Sequence, residues 1–105
     1  MKIKLRKEMF PALKNGCKTS TSRYGKRDIK VGDKAVFVMT ENERIRFPVE
    51  ITKVSYCTFD EITEEEAIKE GYSSLEELKN ALIKIYKPAD SDVFTLIEFK
   101  KTAWI

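Results

Sequence analysis

The sequence predicts an α+β fold, a small mixed sheet or barrel flanked by short helices, and three observations carry that prediction. Charged and apolar residues alternate over residues 2–7, with Ile3 and Leu5 on one face, as in a short half-buried strand. Two stretches with helix-start signals follow one another between residues 62 and 88. Residues 93–99 are apolar on both faces apart from Thr95 and Glu98, the pattern of a strand with neighbours on either side.

The remaining elements fall into place between these. Residues 8–15 read as a short helix: Pro11 is tolerated in the first turn, where its missing N–H would have no partner, and Gly16 ends it. Residues 19–24 are extended, and residues 25–32 form a basic loop. Residues 34–40 and 44–56 read as two long strands of a hairpin around Glu41-Asn42. Pro48 lacks a ladder donor and is expected at an edge or a bulge. Thr63 with Glu66 makes a capping box and Ile62 with Ala67 a hydrophobic staple, so a helix starts at 64 and stops before Gly71. Ser73 with Glu76 starts another, whose Leu75, Leu78, Leu82 and Ile85 share one face, with Pro88 just past its end. The order is strand, helix, four or so strands, two helices, strand, within a single domain over 1–105.

Composition narrows what such a domain can do. A chain of 105 residues supports one core and not two. It is 42% hydrophobic and 35% charged, and no apolar run approaches the roughly 20 residues of a membrane span. The expectation is a soluble, cytoplasmic protein without a membrane partner. There is no histidine, and Cys17 and Cys57 are the only thiols. A Cys/His zinc site cannot be assembled in one chain, and Ser-His-Asp and Cys-His arrangements are excluded. Any general base must be lysine, a carboxylate or tyrosine. Both cysteines read as small buried hydrophobes kept reduced, although Cys17 lies beside Lys18.

The net charge is only +3, but it is unevenly placed. Residues 1–34 hold eleven Lys/Arg against Glu8, Asp28 and Asp33, whereas residues 60–77 hold eight carboxylates against Lys69 alone. A basic half attracts phosphates and an acidic half repels them, unless the two neutralise each other in the fold.

The run Gly16-Cys17-Lys18-Thr19-Ser20-Thr21-Ser22-Arg23 is polar at every position from Lys18 to Arg23. Alternation for packing does not explain it. It reads either as an edge strand rich in β-formers or as a site.

With Phe10-Pro11-Ala12-Leu13-Lys14-Asn15-Gly16-Cys17-Lys18-Thr19, Thr21-Ser22-Arg23, Ile29-Lys30-Val31-Gly32-Asp33, Glu70-Gly71-Tyr72 and residues 93–99, the chain resembles the ASCH family. That family is a branch of the PUA-like barrels associated with RNA and modified nucleosides. The resemblance spans nearly the whole chain and implies a PUA-like barrel. One group of small ASCH proteins is known as N4-acetylcytidine amidohydrolases, whose pattern is a lysine, a threonine three residues later and a glutamate in the second half. Lys18, Thr21 and Glu70 occupy those places, so the resemblance implies a modified nucleoside or RNA as partner and no cofactor or metal.

Amide hydrolysis requires a nucleophile, a base, oxyanion donors and an acid for the leaving amine. Thr21 and Lys18 supply the first two, provided burial or a neighbouring cation such as Arg23 lowers the lysine pKa. Arg23 is placed to orient the substrate. Glu70, at a helix C-terminus, has its pKa raised by the helix dipole, which suits a proton donor. Strict alternation puts Thr21 and Arg23 on one face and Lys18 on the other, so Lys18 meets Thr21 only if the chain bends after Gly16. The rival reading is noncatalytic RNA binding, with Tyr24 stacking on a base among Lys26, Arg27, Lys30 and Lys34, and Lys18 and Arg23 on phosphates. A third is an interaction domain that docks a basic protein on the acidic helix pair. Trp104 reads equally as a packing anchor or a contact surface.

Overall fold

The computed structural model describes residues 1–103; Trp104 lies outside them. The elements are β1 (Lys2–Leu5), α1 (Phe10–Asn15, entered through a 3-10 turn over Lys7–Met9), β2 (Ser20–Tyr24), β3 (Lys34–Met39), β4 (Asn42–Thr58), α2 (Glu64–Lys69), α3 (Leu75–Tyr86) and β5 (Val93–Lys101). Three strands, rather than about four, separate α1 from the helix pair.

All five strands form one mixed sheet in the order β1-β3-β4-β5-β2, bent into a half-barrel. Only β1 and β3 are parallel; the other three pairings are antiparallel. The two edge strands, β1 and β2, are joined by a side chain: Arg23 Nη2 donates to the Lys4 carbonyl at 3.0 Å.

One core cluster packs α1, through Phe10 and Leu13, on Ile3, Leu5, Phe37, Val49, Ile51, Ile97 and Phe99 of the strands. A second seats α2 and α3 through Ala67, Leu78 and Leu82 on Phe59, Ile62 and Phe94. β5 serves both clusters, which is why its residues are apolar on both faces.

Three local expectations are corrected. Pro48 lies neither on an edge strand nor at a bulge, because β4 runs between β3 and β5 and the register shifts fall at Val38/Met39 and Ile51/Lys53. Its missing N–H costs little: the Pro48 carbonyl accepts from Thr102 on the β5 side, so the nitrogen points that way too, beyond the last ladder position Val49↔Lys101. Helix α3 starts one residue later than expected, with Ser74 as N-cap accepting from the Glu77 N–H at 3.2 Å. Its Ile85 is 53% exposed rather than buried with Leu78 and Leu82. The Thr63/Glu66 capping box is present as read from sequence.

Candidate functional site

A cavity of about 150 Å³ opens where the half-barrel is incomplete, between β1, β2, the end of α2 and α3. Lys18, Thr21, Ser22, Arg23, Glu70 and Tyr86 are among its walls. Three backbone features bring them there.

The first is the bend after α1. Gly16 takes φ 84°, a left-handed conformation that ends the helix, and residues 17–19 are not part of the strand. The Lys18 N–H donates to the Ala12 carbonyl (3.0 Å) and the Thr19 N–H to the Lys69 carbonyl (2.7 Å). The segment is thus pinned to both α1 and the end of α2. Strand alternation begins only at Ser20, so Lys18 and Thr21 line the same cavity.

The second is the end of α2. The Tyr72 N–H reaches the Ala67 carbonyl and the Gly71 N–H the Ile68 carbonyl, the paired bonds of a Schellman motif, with Gly71 at φ 97°. Glu70 is the last right-handed residue before this reversal, and the turn directs it at β2.

The third is β2 itself, whose pairing with β5 places Thr21 opposite Ile97 and Ser22 opposite Leu96. Thr21 is therefore packed on one side and bounds the cavity on the other.

The hydrogen bonds are specific. Lys18 Nζ donates to the Ser20 carbonyl at 2.8 Å and to the Glu70 carbonyl at 3.0 Å. Among the described residues, no ion pair joins it to the Glu70 carboxylate. Thr21 Oγ1 accepts from Arg23 Nη1 at 2.6 Å, and the same nitrogen reaches the Ser22 carbonyl at 2.7 Å. Glu70 Oε1 accepts twice from Ser22, from the N–H at 3.2 Å and from Oγ at 3.1 Å.

Burial dominates the electrostatics. Lys18 is 2% exposed, Thr21 2% and Glu70 4%. Loss of solvent lowers the Lys18 pKa from 10.5 to about 8; Glu70 pulls it upward and Arg23 adds to the depression. The Glu70 pKa is raised by burial against the opposing pull of Lys18, the Ser22 hydrogen bonds and Arg23. Desolvation, rather than the dipole of a six-residue helix, is the main cause.

The other expected contact residues lie elsewhere. Tyr24, Lys26 and Lys30 do not line the cavity. Tyr24 donates to Asp92 at 2.8 Å and stacks on Tyr86 at 5.4 Å, and the Lys26 ammonium sits 5.2 Å from the centre of the Tyr56 ring. Lys30 is exposed in the loop before β3 and takes part there in the Asp33 turn. Arg27 lines a neighbouring groove of about 480 Å³ with Lys2, Lys4 and Arg23. Cys17 is exposed rather than buried as expected, and Cys57 is half-buried, its thiol pushed up to about 11 chiefly by burial.

The acidic stretch is largely committed to local structure. Glu61 caps Thr58, Glu66 caps Thr63 and the Glu77 carboxylate accepts from Ser73 Oγ. Glu65 and Glu66 line a second cavity, on the other side of Glu70, rather than the first. Sequence reasoning missed Ser22 as a partner of Glu70, and Lys4, Tyr72 and Tyr86 as cavity walls. Ser22 lies between two of the residues it chose, and Tyr72 lies two positions after a third.

Comparison with known proteins agrees with this fold. No curated protein matches the chain. The ASCH domain from Lactobacillus crispatus JV V101 superposes with a TM-score of 0.78 at 20% identity, over 90% of this chain and 70% of that one. Hypothetical protein PH0355 gives 0.74 at 22% identity, over 96% and 97% of the two chains. ASCH from Zymomonas mobilis gives 0.72 at 12% identity, over 94% and 65%. The ASCH domain pattern itself matches residues 2–101, and the chain belongs to the ASCH domain family, with its PUA-like half-barrel fold.

Proposed function

We propose that the cavity accepts a modified cytidine and hydrolyses the acetyl amide at its N4 without a metal. One observation carries this reading: Lys18 and Thr21, and Glu70 from the second half of the chain, bound one cavity, with burial moving the lysine toward a base and the glutamate toward an acid. At a pKa of about 8, about a tenth of Lys18 is a free amine at pH 7.

In this reading the Lys18 amine takes the Thr21 hydroxyl proton as Oγ1 attacks the acetyl carbon. Arg23 Nη1, already on Oγ1, stabilises the negative charge that forms on that oxygen as its proton leaves. The C–N bond breaks as Glu70 gives its proton to N4, leaving an acetyl ester on Thr21. A water molecule then gives a proton to the Glu70 carboxylate and its hydroxide to the ester, and Lys18 returns the proton to Thr21. The balance is amide plus water to amine plus acetic acid. After its two carbonyl bonds, Lys18 Nζ keeps one tetrahedral position, which in this reading is the one that takes the proton.

The test is conversion of N4-acetylcytidine to cytidine, followed chromatographically for the wild type beside Thr21→Ala and Lys18→Ala. Turnover by the wild type and its loss in both variants is expected; a silent wild type sinks this reading.

A second reading is RNA binding without catalysis. The groove lined by Lys2, Lys4, Arg23 and Arg27 favours it, because it adjoins the cavity through Lys4, Arg23 and Tyr86. The association of the ASCH family with RNA supports it as well. Amide shift perturbation by a short RNA, weakening as salt rises, would support this reading.

A further inference from the structure

Glu70 has two carboxyl oxygens, and the protein treats them differently. Oε1 accepts both the N–H and the hydroxyl of Ser22. Among the described residues Oε2 has no hydrogen-bond partner, yet no buried side-chain oxygen or nitrogen there is left without one. Oε2 must therefore be open to one of the cavities that Glu70 lines, of about 150 and 230 Å³.

We infer that Ser22 is a positioning residue that assigns the acidic proton of Glu70 to Oε2, the oxygen free to meet a ligand. An oxygen that already receives two donors is a poor place for a proton, because its lone pairs are engaged. The other oxygen then carries it. When Oε2–H gives its proton to a leaving nitrogen, the new charge spreads to Oε1, where the two donors are already in place and need not reorganise. Ser22 thus fixes which atom is the acid and strengthens it. Nothing in the sequence pattern that selects Lys18, Thr21 and Glu70 assigns this part to Ser22.

The surroundings of Glu70 bear on any titration. On the first cavity they are Lys18 and Arg23, which favour the carboxylate, with Lys4, Arg6, Tyr72 and Tyr86 further around the wall. On the second they are Lys53 and Lys69 against Glu65, Glu66 and Glu98, with Lys53 and Lys69 both paired to Glu98 at 3.7 Å. Replacement of Ser22 leaves all of these groups in place.

The catalytic half of this inference rests on the amidohydrolase reading; the proton assignment does not. It is tested in the ligand-free protein by following the Glu70 side-chain carboxyl carbon by ¹³C NMR against pH in wild type, Ser22→Ala and Ser22→Thr. Ser22→Ala should raise the midpoint by about one pH unit, and Ser22→Thr, which restores the hydroxyl, should return it most of the way. An unmoved midpoint in Ser22→Ala, or an equal shift in both variants, overturns the assignment. Neutron diffraction of the wild type below that midpoint needs no variant: a deuteron on Oε2 supports the inference, and one on Oε1 refutes it. If N4-acetylcytidine is turned over, Ser22→Ala should lower kcat about tenfold with KM little changed and move upward the limb of the pH profile that Glu70 sets. A fall in kcat without that displacement would mean Ser22 matters only for packing.

Discussion

Lys18 Nζ is bonded to the main-chain carbonyl of Glu70, at 3.0 Å, and not to the Glu70 carboxylate. The two titrating groups lie on one cavity, yet the contact that orients the lysine leaves the carboxyl free for Ser22. Neutral forms of both groups fit this arrangement: an amine with two N–H donors on two carbonyls, and an acid with one oxygen held.

That arrangement makes stability depend on pH at the alkaline end. The folded pKa of Lys18, about 8, lies below its unfolded value of 10.5, so the unfolded chain binds the extra proton between those limits. The burial cost is fully present below pH 8 and is relieved as pH rises through 10.5. The stability of wild type minus that of Lys18→Met should therefore climb by about 3 kcal/mol across this window. Urea unfolding of both proteins from pH 7 to 10.5 measures it, and a flat difference would contradict a desolvated lysine. Taking the difference removes Cys57, which titrates nearby.

Glu70 has the opposite sign. Its folded pKa is raised, so the native state keeps a proton that the unfolded chain has released. The stabilisation is complete below the unfolded value of about 4.5 and is lost as pH rises through the folded one. Glu70→Gln imitates the neutral acid and still accepts from Ser22. It should match wild type near pH 4 and exceed it in thermal stability at pH 8, while abolishing any amide hydrolysis. A Gln variant less stable than wild type at both pH values would overturn this account.

Thr21→Val keeps the shape of a residue that is 2% exposed but removes the hydroxyl that Arg23 Nη1 reaches. Turnover of N4-acetylcytidine should fall at least about 1,000-fold while the protein stays folded. Thr21→Ser should retain activity. If Thr21→Val turns over at the wild-type rate, Thr21 is not the nucleophile.

At Gly71 the backbone alone sets the requirement. A Cβ there would meet Ala12 Cβ at 3.5 Å and Lys18 Cβ at 3.6 Å, ordinary contacts, so Gly71→Ala should suffer mainly from its φ of 97°. The expected loss is about 1–2 kcal/mol by urea unfolding. Gly71→Asn should cost less, because asparagine tolerates the left-handed region better.

The parts of this molecule written in local patterns were legible from sequence. The Thr63/Glu66 box, the Gly16 stop and the doubly apolar β5 each depend on residues a few positions apart, and each was read correctly. The clustering of Lys18, Thr21 and Glu70 came from family resemblance, since no short-range rule joins residue 18 to residue 70. Ser22 was invisible as the partner of Glu70 because that bond closes a 48-residue separation. The neighbours of Tyr24 and Lys26 were out of reach for a related reason, because Asp92 and Tyr56 arrive from elsewhere in the chain to engage them. Pro48 misled because a proline is barred only from ladder positions whose N–H must donate, and the strand length that frees this one is a property of β5.

Arg23 has a consequence for solubility as well as for the site. Along β1 the Met1 and Leu5 carbonyls bond toward β3, so the Lys4 carbonyl points away from the sheet. An unpaired strand edge of this kind is a template on which another chain can add a strand. The guanidinium on Lys4 occupies that acceptor with a positive charge and ties it to the opposite edge of the sheet. The side chain that frames the cavity therefore also guards the rim of the half-barrel against intermolecular strand pairing.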